Sequence, residues 1–360
     1  MDTDVSFDVV RLCATTDAEK EVLQNRLSPV CCVDWNQVFN QACFHRVEPL
    51  VHHTLRQLTP VDASGPPDWA LFREEAHAAR ARGQFGLDEL HRVLCRFEQV
   101  GVPALTFKGP VLGSMAYGEV GLRSSVDLDL LVRPRDMDTV DSTLRDSGYR
   151  PLNADVSRLH RRIRFFLERE HHYAQGPAVF NLDVHTTPVK PSFAYRASFQ
   201  TLYRRAQSVT VGPRDFMAPS VEDLLLILCY HGAKDRWARL KRICDVNELV
   251  RHSSSLDWGA LLKGAERLKA TRILALGLFM AQRTLETPLP PHVVDFVVKH
   301  SAMVRWGNVL VERLPDRVNE SQWGSPTERI MYPLAVQDTV RQKARYALVT
   351  GVGKLVSLIV

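Results

Sequence analysis

Long apolar runs are missing from this chain. The longest, Ile273 to Ala281, falls well short of the ~18–20 residues that cross a bilayer, so a membrane-spanning helix is excluded. Ordered cysteine pairs are missing too. The seven cysteines (Cys13, Cys31, Cys32, Cys43, Cys95, Cys229 and Cys244) are odd in number and form no C-x-x-C pair. That argues against a disulfide framework or a cysteine zinc site and fits a reducing compartment. The opening Met1-Asp-Thr-Asp-Val is acidic where a secretory signal is basic, so a cytoplasmic protein is expected. No charge sign dominates: 46 Lys and Arg stand against 41 Asp and Glu, a net +5 that permits an anionic ligand without demanding nucleic acid. No repeat of ~20–50 residues stands out. What remains is an average globular composition, 45% hydrophobic and 24% charged over 360 residues, long enough for two or three domains.

The hydrophobic periodicity divides the chain. Trp35, Val38, Phe39 and Ala42 mark one face of a helix. Thr59 to Pro67 reads as a loop. A long helix follows from about Trp69 to Val100, with a stripe through Phe85, Leu90, Leu94 and Phe97 and a stop at Gly101 and Pro103. The period then shortens. Val102 to Phe107 has strand character, Lys108-Gly109-Pro110 breaks it, Val111 to Tyr117 is helical, and Ser124 to Val132 alternates as a strand. Pro134 to Asp146 predicts a helix and Val179 to His185 another strand. From Ser220, a suitable N-cap, the pattern is helical again through Lys234–Val250 and Trp258–Leu285. Strands interleaved with helices predict an α/β or α+β core at 99–217, with a helical N-terminal region at 1–98, a helical C-terminal domain at 218–310 and an extension at 311–360. The apolar end of that extension, after Arg341, Lys343 and Arg345, is expected to pack on the protein, with a peripheral membrane or partner contact as the alternatives.

The chemistry concentrates in the strands. In Arg123-Ser-Ser-Val-Asp127-Leu-Asp129-Leu-Leu-Val132, alternation puts Asp127 and Asp129 on one face, about 6.5–7 Å apart along the backbone, and Val126, Leu128 and Leu130 on the other. Two like charges on an apolar strand raise each other's pKa, a conflict that a divalent cation removes. Two aspartates that merely face solvent are the plain alternative, though Asp is a poor strand former. Val179-Phe-Asn-Leu-Asp183-Val-His185 alternates likewise. If the strands are neighbours, Asp183 completes a three-carboxylate cluster suited to phosphoryl chemistry, while His185 reads as a residue that supports a ligand or packs, more than as a metal ligand. Lys108-Gly109-Pro110 offers a helix N-terminus and a point charge to a phosphate, though it is not a Walker A loop. Arg123 and Ser125 share parity with the aspartates if the strand begins that early, so Arg123 either reaches a phosphate or pairs with an acid. Lys234, Lys241 and Asp245 fall near one face if Lys234 to Val250 is one helix. The basic stretch at 158–172 is read first as an amphipathic cover for the sheet and second as a nucleic-acid contact, and its His171-His172 pair lacks metal-ligand spacing to any nearby partner.

Taken together, these motifs resemble the DNA polymerase beta-type nucleotidyltransferase superfamily, and most closely its bacterial uncharacterised nucleotidyltransferase family. The shared elements are Lys108-Gly109, Tyr117, Arg123 through the Asp127-Leu-Asp129 strand, Leu182-Asp183-Val184-His185, His231 with Lys234, Arg239-Leu240, and Asp245. The resemblance implies an α+β fold with a small mixed β-sheet core flanked by helices, and a Mg²⁺-dependent (or Mn²⁺-dependent) transferase acting on an NTP such as ATP. Asp127, Asp129 and Asp183 would be its metal-binding catalytic residues, and the turn at Lys108 and Gly109 would hold the triphosphate. Ser114, Arg123, Ser125, His231 and Lys234 are further candidates around the nucleotide. The acceptor is open among a small molecule, a polysaccharide-pathway compound and RNA. Alternatives are a non-catalytic nucleotide- or partner-binding module, or an RNA-directed, toxin-like transferase. Where the wider superfamily has Gly-Gly or Gly-Ser in the turn, this chain has Gly109-Pro110.

Overall fold

A small mixed sheet sits between helices in the computed structural model, which describes residues 5–17, 33–58, 70–152, 169–175, 180–190, 193, 197–316 and 324–359. Among the described residues, three helices come first: α1 (Val5–Leu12), α2 (Trp35–His45) and α3 (Glu48–Leu58). The expected long helix is α4 (Ala70–Gln99). It stops where Gly101 turns left-handed at φ 71° and the Val102 amide donates back to the Phe97 carbonyl at 2.9 Å. Its stripe differs from the expected one. Leu87, Leu90, Val93 and Phe97 are buried, whereas Phe85 is 63% exposed because it sits on the opposite side of the helix.

The core then runs β1 (Ala104–Thr106), α5 (Gly109–Tyr117), β2 (Asp127–Val132), α6 (Met137–Asp146), β3 (Arg150–Pro151), β4 (Glu170–Ala174) and β5 (Asn181–His185). The strand order is β1-β2-β5-β4-β3. Pairing of β2 with β5 is parallel, and the other neighbours are antiparallel. A hairpin of β6 (Gln207–Val211) and β7 (Arg214–Ala218) follows the short helix α7 (Phe199–Tyr203). The sequence pattern leaves this hairpin and β4 unpredicted. The loop at Thr59 to Pro67 and most of the basic 158–172 segment lie outside the described residues.

The alternation of β2 and β5 decides which face is buried. Leu128, Leu130, Leu182 and Val184, with Tyr173 of β4, pack under α4 and α6 against Leu90, Phe97, Val140 and Leu144. Each such side chain contributes roughly 1.5–3 kcal/mol on burial. On the other face, Leu105, Phe107 and Leu131 enter a larger core shared with the N-terminal helices and with the C-terminal helices. Only part of that face is covered, and the aspartates lie in the remainder.

The helical part holds α8 (Val221–Lys234), α9 (Leu240–His252), α10 (Trp258–Leu268) and α11 (Thr271–Leu285). Ser220 caps α8, its Oγ accepting from the Asp223 amide at 3.3 Å. Two expected continuous helices are broken. Arg236 and Trp237 adopt left-handed φ values of 52° and 54°, separating α8 from α9, and Lys269 does the same between α10 and α11. Lys234 therefore shares no helix face with Lys241 and Asp245. The chain continues through α12 (Pro291–Lys299), α13 (Ser301–Glu312), α14 (Pro326–Ala335) and α15 (Val340–Ile359). Among the described residues no helix is long and apolar enough to cross a membrane.

Candidate active site

Register brings the acids together. In the parallel pair Asp129 lies directly beside Asp183, and His172 of β4 is the next residue in the same row across the sheet. The row containing Leu131 continues through His185 to Glu170. Side chains two residues apart share a face. Asp127, Asp129, Asp183, His185, Glu170 and His172 thus emerge on one side, opposite the apolar core.

Asp129 is the most enclosed of the aspartates, 8% exposed. Its Oδ1 accepts from Lys108 Nζ at 3.1 Å and pairs with His185 Nε2 at 3.1 Å. Burial alone raises a carboxyl pKa, but the Lys108 charge and the His185 hydrogen bond outweigh it and hold Asp129 well below the usual range. Asp127 shows the reverse: burial first, then the charges of Asp183 and Asp129, push its pKa up. One strand therefore carries a strongly ionised carboxylate and one whose charge is opposed. Asp183 Oδ1 lies 2.7 Å from His172 Nδ1.

The cleft over this face is lined on the sheet side by Lys108, Asp127, Asp129, Glu170, Asp183 and His185. The opposite wall carries Lys190, His231 and Lys234, with Arg242 from α9. Asp235, at the end of α8, orients two of these cations, meeting Arg242 at 2.7 Å and Lys234 at 3.3 Å. His231 is buried; its Nε2 pairs with the Pro188 carbonyl at 3.1 Å, and burial together with Lys108, Lys234 and Arg242 pushes its pKa well below the ordinary histidine value. It therefore serves as a neutral ring in the cleft wall. Acids face cations across the opening.

Not every expected residue is in the cleft. Arg123 pairs with an acid, one of its two expected roles: it is 4% exposed and turned into the interior, where Nε and Nη2 grip the two Asp245 oxygens at 2.7 and 3.0 Å. The reason lies in the backbone. The strand begins at Asp127, and Arg123 closes a 3-10 turn at Val120–Leu122, so the parity argument does not reach it. Tyr117 donates to the same Asp245 carboxylate at 2.8 Å, and Arg123 Nη1 donates to the Gly109 carbonyl at 3.3 Å. This buried group ties the Lys108-Gly109 turn to α9. Gly109 itself has φ 61°, and a Cβ there would stand 3.4 Å from the Asp127 carbonyl, so its role here is to shape the turn. Ser125 Oγ donates to the Asp127 carbonyl at 3.1 Å, and Ser114 lines a separate groove with Arg80 and Val120. Neither lines the cleft.

Glu170, Lys190 and Arg242 were missed by sequence reasoning, and His172 was set aside because its partner Asp183 lies on another strand. The alternation of Glu170 with His172 was the available signal for β4. Nothing local marks Lys190 or Arg242.

A carboxylate face opposed by cations is the equipment of a site that handles a divalent cation and a polyanion together. Hard oxygen donors suit Mg²⁺ or Mn²⁺, and the Lys108 ammonium already sets a positive charge against Asp129, so the donors fit such an ion. Residues 32–286 match the family described as uncharacterised nucleotidyltransferase, and the chain belongs to that family. No curated protein matches the chain.

Proposed function

We propose that the protein moves a nucleoside monophosphate from an NTP to an acceptor hydroxyl and releases pyrophosphate. Family membership supports nucleotidyl transfer in general. The observation that carries the finer reading is the juxtaposition of Asp129 and Asp183 across β2 and β5, facing the wall of Lys190, Lys234 and Arg242. Asp127, Asp129 and Asp183 would hold Mg²⁺ or Mn²⁺, which when bound supplies Lewis-acid polarisation of phosphoryl oxygens. Lys190, Lys234 and Arg242 neutralise and orient the triphosphate, with Asp235 keeping two of them in place. The acceptor oxygen forms its bond to the α-phosphorus as the bond from that phosphorus to the bridging oxygen breaks. The acceptor proton passes to Asp183, and pyrophosphate carries away the electron pair. Arg123, Ser114 and Ser125 have no direct part in this reading, and the role of Gly109 is to shape the turn that carries Lys108.

The test is pyrophosphate release by the purified protein with each NTP, Mg²⁺ or Mn²⁺ and pools of hydroxyl acceptors, together with NTP binding by calorimetry. Asp127→Asn and Asp129→Asn should fold normally and lose turnover. Failure of every pool to yield pyrophosphate, with NTP binding unaffected by both substitutions, would overturn the reading. Steep loss of acceptor binding with salt would identify RNA as the acceptor, and a flat response a small molecule or a polysaccharide-pathway compound.

A further inference from the structure

The edge of the carboxylate face on β4 carries nitrogen as well as oxygen. His172 Nδ1 stands 2.7 Å from Asp183 Oδ1, and Glu170 Oε1 lies between two imidazoles, 3.9 Å from His172 Nε2 and 3.8 Å from His185 Nε2. Glu170, His172 and Asp183 each offer one ligand atom within 4.8 Å of the others. Their side chains retain 18%, 25% and 14% exposure, so a cation reaches them without unpacking the core. The group is set by register, with His172 opposite Asp183 and Glu170 opposite His185.

An all-oxygen set suits Mg²⁺, which is reluctant to exchange its waters for anything softer. Imidazole shifts preference toward the first-row transition ions. We infer that Glu170, His172 and Asp183 form a mixed nitrogen–oxygen cation site at the β4 edge of the cleft, and that this site takes Mn²⁺ in preference to Mg²⁺. The inference rests on the proposed function only in that Asp183 is shared with the Asp127–Asp129 pair. It makes His172 a ligand and gives β4 a chemical task.

The probe is Mn²⁺ itself, added to the full-length protein without nucleotide and followed by electron spin resonance with detection of nitrogen coupling. Wild type should bind Mn²⁺ with a ¹⁴N coupling and more tightly than Mg²⁺. His172→Gln should lose that coupling, and its Mn²⁺ affinity should fall by about tenfold or more, with little change for Mg²⁺. Glu170→Gln should weaken Mn²⁺ while keeping the coupling, and circular dichroism checks that both variants fold. If His172→Gln does not fold, His185→Gln decides: the coupling should persist there, and its loss would overturn the inference. Mn²⁺ bound to wild type without nitrogen coupling, or coupling that persists in folded His172→Gln, overturns the inference. Because nucleotide is absent, these outcomes are separate from the fate of the transferase reading, which stands or falls on pyrophosphate release.

Discussion

Breaking the Arg123–Asp245 pair tests whether the turn beside the cleft is held by a buried charge network. The two side chains are 2% and 0% exposed. Burial opposes both charges, but each outweighs it for the other, so the Arg123 pKa is raised and that of Asp245 lowered. Asp245→Asn removes the counter-charge and leaves a guanidinium in the interior, a change that typically costs about 3–5 kcal/mol. Removing both charges is a different perturbation. Arg123→Met with Asp245→Leu abolishes this buried pair, leaving the buried Lys241 beside it, but orphans the Tyr117 hydroxyl and the Gly109 carbonyl, each worth about 1–3 kcal/mol. Adding Tyr117→Phe removes one of those orphans. The triple variant should therefore unfold at higher urea than Asp245→Asn, despite carrying more substitutions. Equilibrium urea unfolding, with m-values compared across the series, supplies the measurement. A loss under about 1 kcal/mol for Asp245→Asn, or a triple variant less stable than that single one, would refute the reasoning.

Lys108→Met strips Asp129 of its ammonium partner and should lower metal-free stability by about 1–3 kcal/mol, while Mg²⁺ raises the melting temperature of the variant more than that of wild type. Thermal melts with and without MgCl₂ check this, and an equal Mg²⁺ effect in both proteins argues against Lys108 as the internal counter-ion. Glu48, at the start of α3, is buried with one oxygen lacking a partner, and burial raises its pKa to about 7. Because the folded pKa lies above the unfolded one, its favourable contribution is present below about pH 4.5 and is lost as pH rises through about 7. The difference amounts to about 3 kcal/mol. Glu48→Gln should flatten the pH dependence of stability across that window, and denaturation curves at pH 5, 6, 7 and 8 that stay parallel for the two proteins would contradict it.

Much of the sheet face was legible in the sequence because strand alternation is local. The Asp127-Leu-Asp129 and Leu182-Asp183-Val184 patterns each announce which side chains emerge together. Their adjacency was conditional, since register between strands far apart in the chain is a tertiary fact. The role of Arg123 stayed open for a related reason: period-2 reasoning holds only while the chain stays extended, and the turn before Asp127 ends it. The breaks after Lys234 and Leu268 were hidden because the left-handed residues there are Arg, Trp and Lys, without a glycine to flag them. The opposing cations come from α8, α9 and the segment after β5, so no single stretch carries their pattern.

The parallel pairing of β2 with β5 also governs when the site exists. Asp129 and Asp183 meet only after the chain has travelled through α6, β3 and β4 and returned, so loop closure precedes any shared coordination. A chain interrupted between these strands retains every acid and lacks the ordered pair. Under the proposed function, cation uptake at the shared face would be a clock for folding: its onset during refolding would report the moment the central seam closes, independently of helix formation on either side.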